Sequence, residues 1–434
     1  MAGTLTVDTI QSDSSYASTI NVASKLNFSG GYQVGGYDSA MMFRNRWING
    51  KMEIEQRTGQ GSANGVAESA GTDGTAKFVN RGANAVYCVD RISGYGQTSG
   101  VWTMQKSTDV PTGQGFVNSL ACTVTTVGSL AAGDVVHFVG NYIEGYNVAD
   151  MNFGNATAQP FTVSFWVKSS ITGTYPLSCT SGEGATNYAC VKHYTIIQAN
   201  TWEKKTLTFP APTSGGDTIF TKTNQRGIGV FWGFGGSSNY DTATLDTWFD
   251  HGASYSCFDS TTSTKWITNA GATFNITGIQ FEAGTVATPF EHRSYTTELQ
   301  LCQRYFYPIY NGTFGRNLGA WPATFYDQSV RYVSQTIMMP VQMRISPSIT
   351  QSNVANNDSN IWNWPPSGSL TKATSNFSVW SQYTNGQSVT LLITATGGPT
   401  GNTVALAASG APYVMDFQSA NTLVALSSEL QGSV

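Results

Sequence analysis

The stretch Phe161-Thr162-Val163-Ser164-Phe165-Trp166-Val167-Lys168 has an apolar residue at every second position. Successive side chains of a β-strand point to opposite faces of its sheet, so this spacing gathers apolar side chains on one face. These side chains are Phe161, Val163, Phe165 and Val167. The opposite face carries Thr162, Ser164, Trp166 and Lys168. The pattern predicts a strand whose sheet covers a core.

Similar short patterns recur on both sides of this stretch. Runs typical of strands lie at 135–139, 205–209, 227–232, 273–281, 333–339 and 388–396. Turn-forming segments separate them, such as Pro111-Thr112-Gly113 and Pro212-Thr213-Ser214-Gly215-Gly216. Many short strands without helical periodicity between them favour an all-β protein built of antiparallel jelly-roll or β-sandwich domains. No repeat of fixed period is evident, which argues against a β-helix.

Composition narrows the classes of function. The chain has 434 residues, of which 11% are charged and 12% are aromatic. A composition so rich in aromatic residues and so poor in charge excludes a disordered chain. The net charge of −4 leaves no basic stripe for phosphates, so no nucleic-acid binding is expected. No apolar run reaches about 18 residues and the start lacks a secretory pattern, so we expect neither membrane insertion nor conventional secretion.

Changes of pattern along the chain predict three parts. Residues 1–36 hold only two brief apolar patterns and cannot form a core alone, so we interpret them as a stem for attachment or oligomerisation. Residues 37–293 form the predicted jelly roll. Residues 294–434 begin with a polar cap followed by apolar residues at helical spacing, which predicts a short linking helix. The rest of this part is predicted to be a second β-sandwich.

The six cysteines are too sparse for a disulfide scaffold and lack the spacing of a metal site. Cys179 and Cys190 flank a segment with the composition of a hairpin tip, which would place them opposite each other. We expect mostly buried thiols. A Cys179–Cys190 disulfide is the open alternative.

Six stretches together resemble bacteriophage tail-fibre and related virion proteins that carry a carbohydrate-binding-module-like jelly roll. They are RWINGKMEIEQR at 46–57, IEGYN at 143–147, FTVSFWVK at 161–168, QFEAGTVATPFE at 280–291, ELQLCQRYF at 298–306 and MPVQMRISP at 339–347. The stretches follow the order that this family has, and they cover about residues 46 to 350. The combination is more specific than any one of them.

The resemblance implies a structural protein of the virion tail, an intertwined homotrimer that binds host surface polysaccharide. It implies that residues 1–36 dock on other virion proteins of the tail, baseplate or neck. The protein would be made in the cytoplasm of the host bacterium and would act at the host cell surface. Two alternatives stay open: an architectural neck, head or baseplate fibre that binds only virion proteins, and a polysaccharide depolymerase.

Two groups of residues are candidate carbohydrate-binding sites, because aromatic faces stack on sugars and polar side chains bond to hydroxyls. The first group comes from the polar, turn-rich segment 356–368, which is not expected to form a central strand, and from the residues after it. Its members are Trp362, Asn363, Trp364, Trp380 and Tyr383. The second group follows the Gly-rich turn at 233–239 and consists of Tyr240, Asp241 and Trp248.

Packing is the alternative role for these aromatic residues. In the first group, a tryptophan would pack beneath its loop or at a trimer axis, because exposed tryptophan pairs are costly. In the second group, Trp248 would belong to the jelly-roll core. Trp47, Trp166 and Trp202 are assigned mainly to packing.

No catalytic constellation stands out. The sequence holds no P-loop, no His-Glu-x-x-His motif and no Gly-x-Ser-x-Gly elbow, so we expect neither enzymatic activity nor a cofactor. Glycoside hydrolysis needs paired carboxylates, for which Glu53 with Glu55 and Asp241 with Asp246 are the nominal candidates. The densest ionisable cluster, Asp246 with Asp250 and His251, fits no standard calcium loop, so no metal is expected.

Overall fold

The computed structural model describes most of residues 43–312 and separate strands beyond them. The described ranges are 43–56, 77–79, 86–96, 99–131, 136–182, 187–252, 257–312, 320–321, 324–325, 332–345, 348–352, 359–363, 371–374, 379–384, 388–394, 413–417 and 422–427. The chain separates into two compact units, Met1–Phe43 and Arg44–Val434. All elements below belong to the second unit. The predicted stem, residues 1–36, lies outside the described residues.

Among the described residues, fifteen strands precede the linking helix. They are β1 (Lys77–Val79), β2 (Val86–Tyr87), β3 (Ser93–Tyr95), β4 (Val101–Ser107), β5 (Ser119–Thr126), β6 (His137–Glu144), β7 (Phe161–Ser169), β8 (Gly173–Ser181), β9 (Tyr188–Ile196), β10 (Glu203–Phe209), β11 (Arg226–Gly235), β12 (Asp241–Thr242), β13 (Phe249–Asp250), β14 (Asp259–Ser260) and β15 (Thr273–Ala283). Three short 3-10 turns lie among them, at Gly145–Asn147, Ala149–Met151 and Trp266–Thr268.

Thirteen of these strands form two antiparallel sheets. Sheet A has the order β1-β4-β5-β15-β7-β10, and sheet B has the order β13-β9-β8-β11-β6-β3-β2. β12 and β14 form a small parallel pair. The sheets share one apolar core, since Phe165 of sheet A meets Trp232 of sheet B with ring centroids 5.3 Å apart. The predicted all-β, antiparallel sandwich is confirmed.

The strand at 161–168 has the predicted faces. Phe161, Val163, Phe165 and Val167 are all 0% exposed and belong to the shared core. β10 and β15 pair with β7 on its two sides, which makes β7 an interior strand. Burying one large apolar side chain contributes about 1.5–3 kcal/mol, so this one face is a major source of stability.

Residues 44–56 add to the same core from outside the sheets. The backbone of this segment bonds to β15, through Arg46 N to Phe281 O at 2.8 Å and Ile279 N to Gly50 O at 3.1 Å. Trp47 is buried and meets the Trp232 ring edge-on at 5.7 Å. The assignment of Trp47 to packing agrees with this position.

The predicted linking helix is α1, Tyr295–Gln303. Ser294 caps its first turn, because the Ser294 hydroxyl accepts a hydrogen bond from Thr297 N at 3.3 Å. Cys302 and Tyr305 are buried in a small cluster with Ile48 and Ile54. The helix therefore rests on the N-terminal segment of the sandwich. No helix among the described residues has the length and apolarity needed to cross a membrane.

The described strands after the helix form three small antiparallel sheets. They are β16 (Phe306–Gly312), β17 (Ala320–Trp321), β18 (Thr324–Phe325), β19 (Tyr332–Met338), β20 (Ser348–Ser352), β21 (Ser359–Asn363), β22 (Thr371–Thr374), β23 (Val379–Thr384), β24 (Ser388–Thr394), β25 (Tyr413–Phe417) and β26 (Thr422–Ser427). The sheet orders are β16-β26-β20, β17-β25-β21-β22 and β18-β19-β24-β23.

One strand expectation was wrong. The segment 356–368 was not expected to supply a central strand, yet β21 within it pairs with β22 on one side and β25 on the other. The strand uses Asn360, Ile361 and Trp362, and Ile and Trp favour strands. The turn-forming Pro365 and Pro366 follow the strand and do not interrupt it.

Candidate functional site

The structure places two of the predicted site residues, Tyr240 and Asp241, over the outer face of sheet B. Tyr240 packs on an aromatic cluster that includes Phe138 and Phe231. The carboxylate of Asp241 accepts a hydrogen bond from Lys265 Nζ at 2.7 Å, and Asp259 accepts another from the same nitrogen at 2.8 Å. Burial raises the pKa of Asp241 despite the Lys265 ammonium. Asp241 is thus part of an internal ion network.

Trp248 lies in a different cluster from Tyr240. Its ring meets Phe220 at 5.6 Å and Phe161 at 6.4 Å, at the margin of the shared core. Its indole N–H donates to Pro210 O at 2.7 Å. These contacts are those of the packing alternative. The second predicted group is therefore not brought together into one surface.

The first predicted group is distributed over two sheets. Trp362 and Asn363 lie in β21, whereas Trp380 and Tyr383 lie in β23. β21 and β23 belong to different four-stranded sheets. Trp364 lies outside the described residues. The role of the five residues of the first group in glycan binding stays a prediction.

The nominal catalytic carboxylates have other partners. Glu53 lies 2.8 Å from Lys51 Nζ, and neither Glu53 nor Glu55 lies in a strand. Asp246 pairs with Lys192 at 2.5 Å, away from the Asp241–Lys265 pair. The described residues contain no group of three or more metal-ligating side chains.

The outer face of sheet B is covered by the chain itself. Near the middle of the sheet, the Phe258 ring stacks on Phe138 at 4.7 Å and meets Phe231 edge-on at 5.2 Å. Towards the end of β6, Tyr142 packs against the cluster that contains Tyr305. A ligand cannot reach most of this face without displacing these rings.

The outer face of sheet A carries the most open set of aromatic and polar side chains that we find. Trp166 and Lys168 point outward from β7, and Lys204 lies opposite Trp166 on β10. Trp202 precedes β10, and Asp109 follows β4. These five residues together with Asn275 of β15 are named the Trp166–Trp202 platform. Both indoles are half-buried, and Lys204 and Asp109 are exposed.

Asp109 orients one end of the platform. Its Oδ1 accepts a hydrogen bond from the Trp202 indole N–H at 3.0 Å, and its Oδ2 pairs with Lys168 Nζ. The Lys168 ammonium lies 5.5 Å from the centroid of the Trp202 ring. Partial burial raises the pKa of Asp109, but the bonds from Lys168 and Trp202 outweigh it and hold the pKa below its ordinary value.

Trp166 is supported by a bulge in β15. Gly278 has φ of +64°, and a Cβ there would lie 3.1 Å from Trp166 Cδ1 and 2.7 Å from Phe116 Cζ. Phe116 in turn meets Phe290 at 5.1 Å. A glycine at this position lets both rings approach the backbone, so the orientation of Trp166 is fixed from below.

The platform combines the kinds of side chain that bind sugars. Half-exposed indoles offer apolar faces, and polar side chains beside them offer donors and acceptors. The amide of Asn275 and the ammonium of Lys204 make no side-chain hydrogen bond within the described part of the chain. Lys204 is exposed and available to a ligand, whereas Asn275 is only 7% exposed.

Sequence analysis missed this surface because it assigned Trp166 and Trp202 to packing. The signal was present in the alternation of β7, where Trp166 shares a face with Thr162, Ser164 and Lys168 and not with the four core residues. An indole on the polar face of an interior strand is a candidate for ligand contact.

Comparisons with known proteins were made for the whole chain. No protein-family model matches it, and no curated protein matches it. Similar solved structures include the enzymatically active domain of tailspike protein 4 of bacteriophage CBA120, with 16% identity and a TM-score of 0.25, over 44% of this chain and 19% of that chain. This chain therefore spans about a fifth of the length of the phage protein.

Two carbohydrate-binding modules are also similar over half of this chain and the whole of theirs. The family 11 module from Clostridium thermocellum, in complex with a β-1,3-1,4-mixed-linked tetrasaccharide, has 9% identity and a TM-score of 0.26. The xylan-binding domain from Paenibacillus barcinonensis has 10% identity and a TM-score of 0.22. At these TM-scores the similarity supports no conclusion about fold or ligand. The fold class is assigned from the two antiparallel sheets described above.

Proposed function

We propose that this chain is a tail-fibre-type structural protein of a phage virion that binds host-envelope polysaccharide without chemical conversion. The observation that carries the proposal is the Trp166–Trp202 platform, two outward, half-buried indoles with the exposed ammonium of Lys204 beside them. The resemblance of the stretches between 46 and 350 to virion proteins supplies the biological setting. In this setting the protein acts on the virion, at the surface of the host cell.

The platform supports binding rather than hydrolysis. Both oxygens of its exposed carboxylate, Asp109, are engaged by Lys168 and Trp202. Glycoside hydrolysis requires a second carboxylate across the sugar, and none lies among the platform residues. Adhesion needs no such pair.

Multivalency would compensate for a shallow site. A flat face with two indoles leaves much of a sugar in contact with water, so one site binds weakly. In a homotrimer attached through residues 1–36, three copies would act together and raise the overall affinity. The trimer, the docking segment and its virion partners are parts of the proposal. Light scattering of the full-length protein tests whether it is a trimer.

Substitution of the indoles tests the proposed function. Trp166→Ala and Trp202→Ala should each weaken adsorption to host cells, by about five- to 150-fold if a sugar ring stacks as a nucleic-acid base does, since base stacking on one aromatic ring is worth roughly 1–3 kcal/mol. Trp248→Phe is the matched control, because Trp248 packs at the core margin. Unchanged adsorption by both platform variants, with the melting temperature retained, would overturn the assignment.

Two further measurements separate the alternatives. Release of reducing ends from host polysaccharide by the wild-type protein would favour a depolymerase. Binding to purified virion proteins, together with no retention on any polysaccharide, would favour an architectural fibre. Deletion of residues 1–36 should leave a folded protein that is absent from assembled particles, and incorporation of the deleted form would exclude docking through this segment.

A further inference from the structure

A small cavity lies beside the last residues of β6, away from the platform. β3 pairs with β6 only as far as Gly140, so the described part of the chain has no partner strand on that side of β6 beyond this residue. Arg91 Nη2 instead donates to Tyr142 O at 2.8 Å. Residues 46–48, Arg91 and Tyr305 line the cavity together with the end of β6. Segments far apart in the sequence therefore enclose it.

Three of the stretches that resemble virion proteins meet at this cavity. The stretches at 46–57, 143–147 and 298–306 each supply lining residues. None of these lining residues belongs to the Trp166–Trp202 platform. The cavity thus gives these stretches a common place in the fold that glycan binding does not explain.

Three nitrogen atoms of the lining residues are buried and find no acceptor among the described residues. They are Trp47 Nε1, Asn141 Nδ2 and Arg46 Nε. Trp47 is 2% exposed and Asn141 is 1% exposed, so bulk water does not solvate these donors. The Asn141 amide cannot simply be turned around, because its oxygen accepts a hydrogen bond from Tyr142 N at 2.7 Å. Buried donors without acceptors destabilise a fold, so this set indicates a bound group that accepts hydrogen bonds.

The size of the cavity selects among such groups. Its interior offers about 10 Å³ to the centre of a water-sized sphere, which is room for about one such sphere. A sugar ring does not fit. A water molecule accepts two hydrogen bonds and has two protons of its own to donate, so it leaves one of the three donors without a partner. A halide ion is only slightly larger, accepts from all three donors and donates nothing.

The charged groups around the cavity are compatible with an anion. The acidic residue of the lining is Glu144, and both of its oxygens already accept hydrogen bonds from Arg304. Arg46 bonds through Nη2 to the exposed Asp150 at 2.7 Å, and its Nε remains for the cavity. The guanidinium of Arg91 also lies in the lining. An anion held here is close to guanidinium groups and only partly exposed to solvent, where attraction between opposite charges is stronger than in bulk water.

We infer that this cavity binds a chloride ion through the N–H groups of Trp47, Asn141 and Arg46. The site goes beyond the proposed function and does not depend on glycan binding. The ion joins the N-terminal segment of the sandwich to the end of β6. Because only the folded protein holds these donors together, bound chloride stabilises the folded state, and the stability of the sandwich depends on the chloride concentration.

Thermal unfolding of the full-length protein tests the dependence on chloride. Sodium gluconate is exchanged stepwise for sodium chloride at constant ionic strength, and unfolding is followed by tryptophan fluorescence. The melting temperature should rise by about 2–5 °C and then level off, as expected for one saturable site. Bromide should act as chloride does, whereas sulfate, which is too large for the cavity and stabilises proteins by a general salt effect, should give no such saturating rise. A melting temperature that follows the general salt effect alone would overturn the inference.

Two variants with matched controls assign the effect to this cavity. Trp47→Phe removes one donor, and Asn141→Asp replaces the amide nitrogen with oxygen while it keeps the acceptor for Tyr142 N. Both should abolish the rise caused by chloride. Trp102→Phe is the control for the first, because the Trp102 indole N–H is also buried without an acceptor but does not line the cavity. Asn118→Asp, just before β5, adds the same charge elsewhere. Persistence of the rise in both cavity variants, or its equal loss in the controls, would overturn the inference.

The position of the ion can be tested without any variant. Crystals of the wild-type protein grown with sodium bromide should show an anomalous scattering peak within hydrogen-bonding distance of Trp47 Nε1, Asn141 Nδ2 and Arg46 Nε. Density without an anomalous signal at this place would mean that water occupies the cavity, and the inference would be wrong. Anomalous peaks at other places only would have the same meaning.

Discussion

Arg304 holds the carboxylate of Glu144 with two nitrogens, Nε at 2.9 Å from Oε2 and Nη2 at 2.5 Å from Oε1. Glu144 is 1% exposed, and the Tyr305 hydroxyl donates a further hydrogen bond to it at 2.5 Å. Glu144 ends β6, and Arg304 directly follows α1. An ion pair with a buried carboxylate therefore ties the end of the helix to the sandwich.

Removal of Arg304 should destabilise this junction. Arg304→Met leaves the Glu144 carboxylate buried without its cation, which costs about 3–5 kcal/mol in fully buried pairs. Arg304 is 27% exposed, so we expect a smaller loss of about 2 kcal/mol in the free energy of unfolding, measured by urea denaturation. The exposed pair Arg46–Asp150 supplies the control, since Arg46→Met should cost less than about 1 kcal/mol. Similar small losses in both variants would mean that the Glu144 pair contributes no more than a surface pair.

The local parts of this junction were predictable from sequence, but the pair itself was not. The helix was predicted from its cap and its apolar spacing, and the strand faces were predicted from period-two alternation. The contact between Glu144 and Arg304 joins residues 160 positions apart. It depends on how α1 lies against the end of β6, which no local pattern specifies.

In the candidate site, too, the local pattern was predictable from sequence and the long-range arrangement was not. Alternation fixed the outward direction of Trp166, whereas its value as a ligand surface depends on which sheet face the rest of the chain covers. Sheet B is covered by Phe258 and by the cluster around Tyr305, which are distant in sequence from the strands beneath them. The prediction of a site at Tyr240 and Asp241 therefore fell on a face where Asp241 pairs internally with Lys265.

Gly278→Ala should disturb the platform from beneath. The substitution places a methyl group 2.7 Å from Phe116 Cζ and 3.1 Å from Trp166 Cδ1, at a positive φ. We expect about 1–3 kcal/mol of destabilisation and weaker retention on polysaccharide, because Trp166 must shift. Gly271→Ala is matched in φ, +68° against +64°, but its Cβ meets nothing within 4 Å. Equal effects of the two substitutions on retention would show that the orientation of Trp166 is not set by Gly278.

The six cysteines should be unreactive in the folded protein. All six are buried thiols outside any disulfide, and Cys179 lies directly opposite Cys190 in the β8–β9 hairpin, as the sequence predicted. Burial raises the pKa of Cys179 well above its ordinary value and raises the pKa of Cys190 to about 12, so little thiolate forms. A thiol reagent should label no cysteine in the native protein and all six after denaturation without reductant. Two fewer thiols after denaturation would demonstrate the alternative, a disulfide between Cys179 and Cys190.

Mild acid should destabilise the fold through buried histidines. His251 is 9% exposed, and burial lowers its pKa below the ordinary value of 6.5. The pKa values of the half-buried His193 and of the more exposed His292 are lowered in the same direction. Below about pH 6.5 the unfolded chain therefore binds more protons than the folded chain, and the free energy of unfolding decreases as the pH decreases. Protonation of Asp109 lowers the free energy of unfolding only in stronger acid, because its pKa lies below its ordinary value of 3.8.

The contribution of His251 can be isolated from opposing groups. Burial raises the pKa of Glu298, whose folded form therefore binds more protons and gains stability as the pH falls, against the histidine effect. Comparison of the wild type with His251→Gln cancels this term, since Glu298 is present in both. Urea denaturation at about pH 7.5, 6.5 and 5.5 should show the wild type losing stability more steeply than the variant, by at most about 1.4 kcal/mol per pH unit for one proton. Parallel pH profiles would show that the folded protein accommodates a charged His251, whatever the loss that the substitution causes at neutral pH.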